Sequence, residues 1–313
     1  MRAVTIKDGE LAVAEHPDPV PGSGEVLVKV RAAGINGADI HQRAGRYPAP
    51  PDSPQDIPGL ELAGEVVENG PGAFRFSPGD RVMSIVGGGG QSELAAVPER
   101  LLLTVPNNLD ITHAGGAPEV FTTAHDALFT QANLQLGEKL LIHGGAGGVG
   151  TAAVQLGRAA GARVYATVRN PELRGGVEQL GATVLAPDEF TDHGPFDVIL
   201  ELVGGPNLSD NVNSLNMLGR ISVIGIGAGA NGELNLGALL SKRGRIMASM
   251  IRYRPLEDKA ATARGMERSV LPLFETGELT VPVAATFPLE QAADAYDRFT
   301  AGGKLGKIIL TID

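Results

Sequence analysis

The sequence predicts an α/β protein that combines a doubly wound parallel sheet of six strands with a second, β-rich domain. Residues 1 to about 118 contain short alternating strands separated by turns, as at Val26, Val28 and Val30. From about residue 119 the pattern changes to near-continuous apolar runs that alternate with helical segments, which is typical of parallel strands buried on both faces. These runs lie at 140–142, 164–168, 182–185, 198–203, 221–226 and 246–250.

Length and composition restrict the class of protein. The 313 residues are enough for two domains with separate cores. The net charge of −10 disfavours binding to nucleic acid or to an anionic membrane. No apolar run approaches the length of a membrane-spanning helix, and the N-terminus has no apolar signal core. Cysteine is absent and the six histidines lack metal-ligand spacing, so we expect a cytoplasmic protein without a metal site.

The most informative segment is a strand that leads into glycines and then into a helix. Gly145, Gly147 and Gly150 fit the G-x-G-x-x-G pattern of dinucleotide-binding loops. Glycines there permit a tight turn, a close approach of backbone N–H groups to phosphates, and close packing of helix on strand. The helix N-terminus adds partial positive charge. The sequence therefore predicts a Rossmann-type site for a dinucleotide pyrophosphate.

The residue after the second strand of this unit indicates which dinucleotide is bound. NAD-binding folds usually carry an acidic residue there, which holds the ribose 2′-hydroxyl. Here the strand ends at Val168 and Arg169 follows. An arginine can pair with a 2′-phosphate through charge-assisted hydrogen bonds worth roughly 1.5–3 kcal/mol each. The sequence thus predicts NADPH as the cofactor, with Arg174 as a second candidate ligand; the alternative is that both are solvated loop arginines.

The C-terminal segment is too small to form a domain alone. Beyond residue 253 the chain shows two helical patterns and a short closing strand at 307–310. We expect this tail to complete the first domain. The predicted organisation is therefore one domain of residues 1–118 and 253–313, and a nucleotide-binding domain of residues 119–252.

Several motifs outside the glycine loop make the sequence similar to a known family. The chain resembles the medium-chain dehydrogenase/reductase superfamily and, within it, the zinc-free, zeta-crystallin-like NADPH:quinone oxidoreductases of the p53-inducible type. The resemblance spans essentially the whole chain. Its motifs lie at 34–39, 42–47, 88–91, 118–124, 141–143, 240–244 and 306–310.

The resemblance implies a GroES-like fold for the β-rich domain and a homodimeric enzyme. It also implies hydride transfer from NADPH to a quinone or activated enone, in a cleft between the two domains. Zinc-dependent members carry a cysteine near the position of Asn36 and a Gly-His-Glu motif where this chain has Gly59-Leu60-Glu61. Because neither Asn36 nor Leu60 can replace those ligands, we expect no zinc.

The resemblance also implies roles for particular residues. Asn36 and Tyr47 are the expected catalytic residues, since Asn36 could hold an oxygen of the substrate and Tyr47 could hydrogen-bond or protonate it. Their alternatives are a buried turn asparagine and a packing aromatic. Residues expected to contact the cofactor, besides the glycines and arginines above, are Thr123, Gly148, Val149, Gly204, Gly225 and Ile226.

Two other functions are compatible with the sequence. The first is a 2-enal or enoyl-thioester reductase that uses the same cofactor and requires Tyr47 as proton donor. The second is not enzymatic: some zeta-crystallins are abundant lens proteins or bind RNA. The net charge of −10 argues against RNA binding, since the only basic run is Lys242-Arg243-Gly244-Arg245.

Overall fold

The computed structural model describes all 313 residues and divides into two compact units. The first unit comprises Met1–Thr122, Ile251–Gly302 and Lys307–Asp313, and the second comprises Thr123–Met250 and Gly303–Gly306. No helix is both long and apolar enough to cross a lipid bilayer.

Fifteen strands form the sheets of the two units. They are β1 (Arg2–Lys7), β2 (Glu10–Glu15), β3 (Glu25–Ile35), β4 (Glu61–Asn69), β5 (Arg81–Ile85), β6 (Leu94–Pro98), β7 (Leu103–Thr104), β8 (Lys139–His143), β9 (Arg163–Thr167), β10 (Thr183–Leu185), β11 (Phe196–Glu201), β12 (Leu215–Val223), β13 (Arg245–Ala248), β14 (Val283–Pro288) and β15 (Lys307–Thr311).

Ten α-helices accompany the strands. They are α1 (Gly37–Arg43), α2 (Ile111–Ala114), α3 (Pro118–His125), α4 (Gly148–Ala159), α5 (Arg174–Gln179), α6 (Leu208–Asn213), α7 (Leu236–Ser241), α8 (Leu256–Ser269), α9 (Leu271–Glu275) and α10 (Ala292–Thr300). A π-helical turn covers Asp126–Gln131, and 3₁₀ turns cover Pro171–Leu173, Phe190–His193, Gly205–Asn207 and Leu289–Gln291.

The first unit is built around a mixed sheet in the order β14-β15-β3-β4-β5-β7, with β6 also paired to β3. The long strand β3 lies near its centre, and the valines that alternate along it are fully buried. The C-terminal strand predicted at 307–310 is β15, which pairs antiparallel with β3 and parallel with β14. Helix α10 adds Tyr296 to the same core. Chain ends that are far apart in sequence therefore complete one sheet.

The second unit contains the predicted parallel sheet, in the strand order β10-β9-β8-β11-β12-β13. All its strand pairs are parallel, and the inner strands β8 and β11 are buried. The strand order runs outward in opposite directions from β8 and β11, so the crevice outside their carboxyl ends is where open α/β sheets bind ligands. The predicted doubly wound fold is confirmed.

Candidate active site

The glycine loop joins β8 to α4, and each glycine of the pattern has its own steric reason. A Cβ on Gly150 would lie 2.3 Å from the carbonyl oxygen of Gly144, so helix and loop touch there. A Cβ on Gly145 would lie 2.8 Å from the Cβ of Ala166 on β9. At Gly147, in contrast, the nearest atom would be 3.5 Å away and the residue is half-buried. Two of the glycines thus permit close packing, and the third leaves an open side.

The N-terminus of α4 fits an anionic ligand. Gly147 is its N-cap in an extended conformation, and no side chain caps the helix. The first N–H groups of a helix have no partner within the helix. Gly148 and Val149 are half-buried and stand in that first turn. This arrangement fits the pyrophosphate of a dinucleotide, because backbone donors and the helix dipole face the same open position.

Arg169 and Arg174 differ in how they are placed after β9. Arg169 is exposed. Arg174 is half-buried, begins α5, and its Nε donates to the carbonyl oxygen of Val168 at 3.2 Å. Of the two, Arg169 is therefore the more accessible to a 2′-phosphate.

A segment that sequence reasoning did not connect to this loop runs beside it. The N–H of Gly306 donates to the carbonyl oxygen of Ala146 at 2.9 Å, and Gly306 forms a β-bridge with Gly147. Lys304 lies in the same segment, and its ammonium donates to the carbonyl oxygen of Gly306 at 3.1 Å. A cation thus lies near the glycine loop, although more than 150 residues of sequence separate it from that loop and no local pattern marks it.

Gly204, Gly225 and Ile226 lie on the loops that follow β11 and β12. Gly204 has a φ of 129°, and a Cβ there would meet the carbonyl oxygen of Gly229 at 2.6 Å. A Cβ on Gly225 would lie 2.3 Å from the carbonyl oxygen of Leu202. The two loops therefore touch through backbone atoms, and Ile226 is 55% exposed beside them. Thr123, the remaining expected cofactor residue, is buried on α3.

Asn36 is buried and both ends of its amide are engaged. Its Nδ2 donates to Oε1 of Glu61 at 2.9 Å, and its Oδ1 accepts from the ammonium of Lys307 at 2.6 Å. It is also the N-cap of α1 and is 6% exposed. This geometry favours the alternative of a buried structural asparagine, since little of the amide is left for a substrate.

The Glu61–Lys307 ion pair around Asn36 was not predicted. The two charged groups are 2.7 Å apart and almost fully buried. The ammonium also donates to the carbonyl oxygen of Ile35 at 2.9 Å, and the second carboxylate oxygen accepts the N–H of Glu119 at 2.8 Å. A Cβ on Gly34 would lie 2.2 Å from Oε1 of Glu61, which explains the glycine at that position. The signal for this ion pair in the sequence was Lys307 itself, a lone lysine at the start of the apolar strand β15.

Asp39 completes the turn at Asn36. Its carboxylate accepts the N–H of Asn36 at 2.8 Å, which forms a capping box, and the N–H of Gly59 at 3.1 Å. Burial raises its pKa to about 6, although both N–H donors act in the opposite direction.

Tyr47 lies half-buried at the start of the irregular proline-rich segment 46–58. Arg252 stacks over its ring at 5.0 Å and Tyr253 meets it edge-on at 5.4 Å. Burial raises the pKa of Tyr47 to about 12, and the nearby guanidinium partly offsets that rise. Tyr47 is therefore a neutral phenol at physiological pH, able to donate a hydrogen bond or a proton.

Arg252 fixes this aromatic pair and was not found from the sequence. It is 3% exposed, and it donates to the carbonyl oxygens of Gly87 at 2.7 Å and Tyr47 at 3.0 Å. A third bond, of 2.5 Å, reaches Oε1 of Gln42. The rigid guanidinium fork thus ties three chain segments together. No group of three or more potential metal-ligating side chains is close enough to hold a metal ion.

Comparison with known proteins places the chain in a family. Residues 22–107 match the model of the alcohol dehydrogenase GroES-like domain, and residues 180–310 match that of the zinc-binding dehydrogenase. Quinone oxidoreductase from Rattus norvegicus is 30% identical over 94% of this chain and 91% of its own length. Acryloyl-coenzyme A reductase from Metallosphaera sedula is 31% identical over 99% of this chain and 100% of its own length.

The fold comparison agrees. The crystal structure of an alcohol dehydrogenase superfamily protein from Novosphingobium aromaticivorans superposes with a TM-score of 0.89 and 30% identity, covering 100% of both chains. The match extends over both units rather than over the parallel sheet alone. The chain therefore belongs to the zeta-crystallin-like quinone oxidoreductases of the medium-chain dehydrogenase/reductase superfamily, and is an oxidoreductase that uses a nicotinamide cofactor.

Proposed function

We propose that this enzyme reduces quinones with NADPH and without zinc. The observation that carries the proposal is the open, uncapped N-terminus of α4, followed after β9 by the exposed Arg169 instead of an acidic residue. The identity with quinone oxidoreductases supports the acceptor class. When bound, reduced nicotinamide supplies a hydride, and the protein contributes position and polarity.

The preference for NADPH is assigned to Arg169. An exposed guanidinium beside the end of β9 can pair with a 2′-phosphate, whereas the ribose hydroxyl of NADH gives it no charge to bind. We expect Arg169→Ser to raise the Michaelis constant for NADPH at least tenfold and to leave that for NADH unchanged. Arg174→Ser is the matched control, and the smaller effect is expected there because Arg174 already donates to Val168. Equal effects of Arg169→Ser on both nucleotides would contradict the assignment.

At the acceptor we assign to Tyr47 the binding of a carbonyl oxygen. Its phenol is neutral and its ring is held by Arg252 and Tyr253. It can therefore donate a hydrogen bond to a carbonyl oxygen of the acceptor. Asn36 then supports the site through its bonds to Glu61 and Lys307. Zinc is not part of the proposal, because Asn36 and Leu60 stand at positions where the zinc-dependent branch has ligands.

The identity with an acryloyl-coenzyme A reductase favours one alternative, reduction of 2-enals or enoyl thioesters. After hydride transfer an enone needs a proton at carbon, for which Tyr47 is the donor with suitable chemistry. A reduced quinone can instead take its protons from water. The proton of Tyr47 is therefore required for enone reduction but not for quinone reduction.

The experiment that tests the proposal follows NADPH oxidation with ortho- and para-quinones, short 2-enals and an enoyl thioester. We expect turnover of quinones, with Tyr47→Phe raising their KM, because the hydrogen bond to the acceptor oxygen is lost, but changing their kcat less than about threefold, because no proton from Tyr47 is needed. General acid catalysis typically contributes 10²–10⁴-fold, so the same variant should lose about that factor with an enone if the alternative holds. Turnover of enones alone would overturn the proposed function.

We also propose that the enzyme is a cytoplasmic homodimer that associates through the second unit. Strand β13 is an edge strand with exposed residues, and several large apolar side chains of that unit are exposed, a pattern that marks protein interfaces. They are Met217 (56%), Leu236 (68%), Leu240 (79%) and Met250 (53%). Light scattering on the purified protein distinguishes a dimer from a monomer, and Leu240→Asp should shift a dimer to monomer.

A further inference from the structure

Glu201 is a charged residue at the carboxyl end of β11, directly after the buried apolar residues Val198, Ile199 and Leu200. It is 3% exposed and no cation of lysine or arginine lies against it. A buried carboxylate is costly unless hydrogen bonds satisfy it. The partners that satisfy this one show what it does.

The carboxylate accepts four hydrogen bonds from the segment that follows it. Oε1 accepts the N–H groups of Val203 at 2.6 Å and Gly204 at 2.8 Å. Oε2 accepts the side-chain amides of Asn207 at 3.1 Å and Asn211 at 2.7 Å. One side chain therefore fixes the whole turn between β11 and α6, including the left-handed backbone at Gly204.

The main-chain carbonyl of the same residue fixes the neighbouring loop. It accepts the N–H groups of Ile224 and Gly225, both at 3.0 Å. Two further hydrogen bonds join the loops. The N–H of Gly205 donates to the carbonyl oxygen of Gly229 at 2.8 Å, and the N–H of Ala228 donates to the carbonyl oxygen of Val203 at 2.9 Å. The turns after β11 and β12 thus form one rigid unit anchored at Glu201.

Further buried side chains hold Asn211, one of the partners of the carboxylate, in place. Because Nδ2 of Asn211 donates to the carboxylate, its Oδ1 faces Nε2 of His143 at 2.7 Å and must accept a hydrogen bond from the Nε2–H group. Nδ1 of His143 then accepts from the hydroxyl of Thr167 at 3.1 Å. Burial lowers the pKa of His143, which agrees with this neutral tautomer. The chain of hydrogen bonds runs from Thr167 on β9 through His143 on β8 and Asn211 on α6 to Glu201 on β11.

The position of this network in the sheet indicates what it supports. The glycine loop follows β8 and Arg169 follows β9, so the adenosine half of a dinucleotide belongs on that side of the switch point. The nicotinamide half then belongs over the carboxyl ends of β11 and β12. The turns that Glu201 fixes lie there.

We propose that Glu201 is a positioning residue for the nicotinamide half of the cofactor, acting through the turns at Gly204 and Gly225. It touches no reacting atom and sets the backbone on which the nicotinamide ribose rests. The inference depends on the nicotinamide cofactor of the family and not on the identity of the acceptor.

Glu201→Gln tests this because glutamine cannot reproduce the bonding. A carboxylate accepts at both oxygens, whereas the NH₂ group of glutamine would face either the two backbone N–H donors or the two asparagine amides. In the first orientation the turn must shift, and in the second both asparagine amides must rotate, which reverses the hydrogen bond between Asn211 and His143. We expect the Kd of NADPH, measured by fluorescence titration or calorimetry, to rise at least tenfold.

The probe that separates positioning from general damage is 2′,5′-ADP, which lacks the nicotinamide half; ADP serves as the form without the 2′-phosphate. Their Kd values should change less than twofold in Glu201→Gln. A structural defect of the whole unit would weaken the binding of NADPH and of the two probes together, and that result would overturn the proposal. Unchanged NADPH binding in a folded variant would overturn it as well.

Asn207→Ala keeps the test decisive should the glutamine variant not fold. It removes only one of the four bonds, from a half-buried side chain, and should raise the Kd of NADPH about two- to fivefold with the ADP probes unchanged. Unchanged NADPH binding in this variant counts against the proposal. A wild-type protein that binds neither NADPH nor NADH would instead contradict the proposed function.

Discussion

The cluster around Asn36 and the carboxyl edge of the parallel sheet use opposite ways of building a site. At Asn36, buried side chains satisfy one another: the amide, the carboxylate of Glu61 and the ammonium of Lys307 form a closed set. At the glycine loop the backbone supplies the donors, and the side of Gly147 is left open. The first arrangement fixes a shape, and the second leaves room for a ligand.

The difference shows that a motif residue can matter for opposite reasons. Asn36 matches a family motif, yet its polar atoms point at other residues of the protein. Gly147 matches a motif because a side chain is missing there. Glu201 shows both features. Its carboxylate is fully hydrogen-bonded, and the turns that it fixes lie at the carboxyl edge of the sheet, where a ligand can bind.

The largest expected effect on cofactor binding comes from a side chain at the point where the glycine loop and α4 touch. Gly150→Ala would press a Cβ to 2.3 Å from a backbone oxygen, so we expect a loss of about 2–3 kcal/mol in the free energy of unfolding and at least 30-fold in NADPH affinity. Urea unfolding and fluorescence titration measure the two quantities.

Gly147→Ala is the matched control, since its φ of −73° suits alanine and the nearest atom is 3.5 Å away. We expect its free energy of unfolding to lie within about 0.5 kcal/mol of the wild-type value, as for most surface substitutions. Its affinity for NADPH should fall at least tenfold. Wild-type affinity in this variant would show that the loop is only a structural turn.

Breaking the closed cluster should act on stability first. Lys307→Met leaves the carboxylate of Glu61 buried without its ion-pair partner, which typically costs about 3–5 kcal/mol. Adding Glu61→Gln removes the unpaired charge, so the double variant should recover more than half of that loss in chemical denaturation. Losses that simply add would mean that the two side chains are not coupled.

Asp39 provides a smaller effect that depends on pH. Its folded-state pKa is about 6 and the ordinary value is 3.8, so the folded protein binds the extra proton between these values. Stability from this group is therefore highest at low pH and falls as pH rises from about 4 to about 6, by up to about 3 kcal/mol. Above pH 6 its contribution is constant.

Unfolding measured between pH 4 and 7 should show that trend as the difference between wild type and Asp39→Asn. The exposed Asp188→Asn is the control and should show no such difference. A wild-type advantage that grows with pH over this window would mean that the carboxylate is stabilised, not penalised, by its surroundings.

Local patterns were sufficient for most of the fold. The buried runs of the parallel sheet, the glycine loop and the closing strand at 307–310 were all predicted, because burial on both faces and tight turns restrict residue type over a few positions. The charge of Glu201 inside the run 198–203 was a signal of the same kind, since a lone carboxylate in a buried strand requires partners.

The sequence by itself therefore determined the buried strands of the parallel sheet, the glycine loop that follows β8 and the absence of cysteine chemistry. Only the tertiary structure decided the partners of the polar residues. Asn36 meets Lys307 from 271 residues away, and Arg252 reaches Tyr47 across 205. The physical reason is that such bonds depend on how strands pair across the whole chain, and a hydrogen bond between distant residues leaves no periodicity in the local sequence.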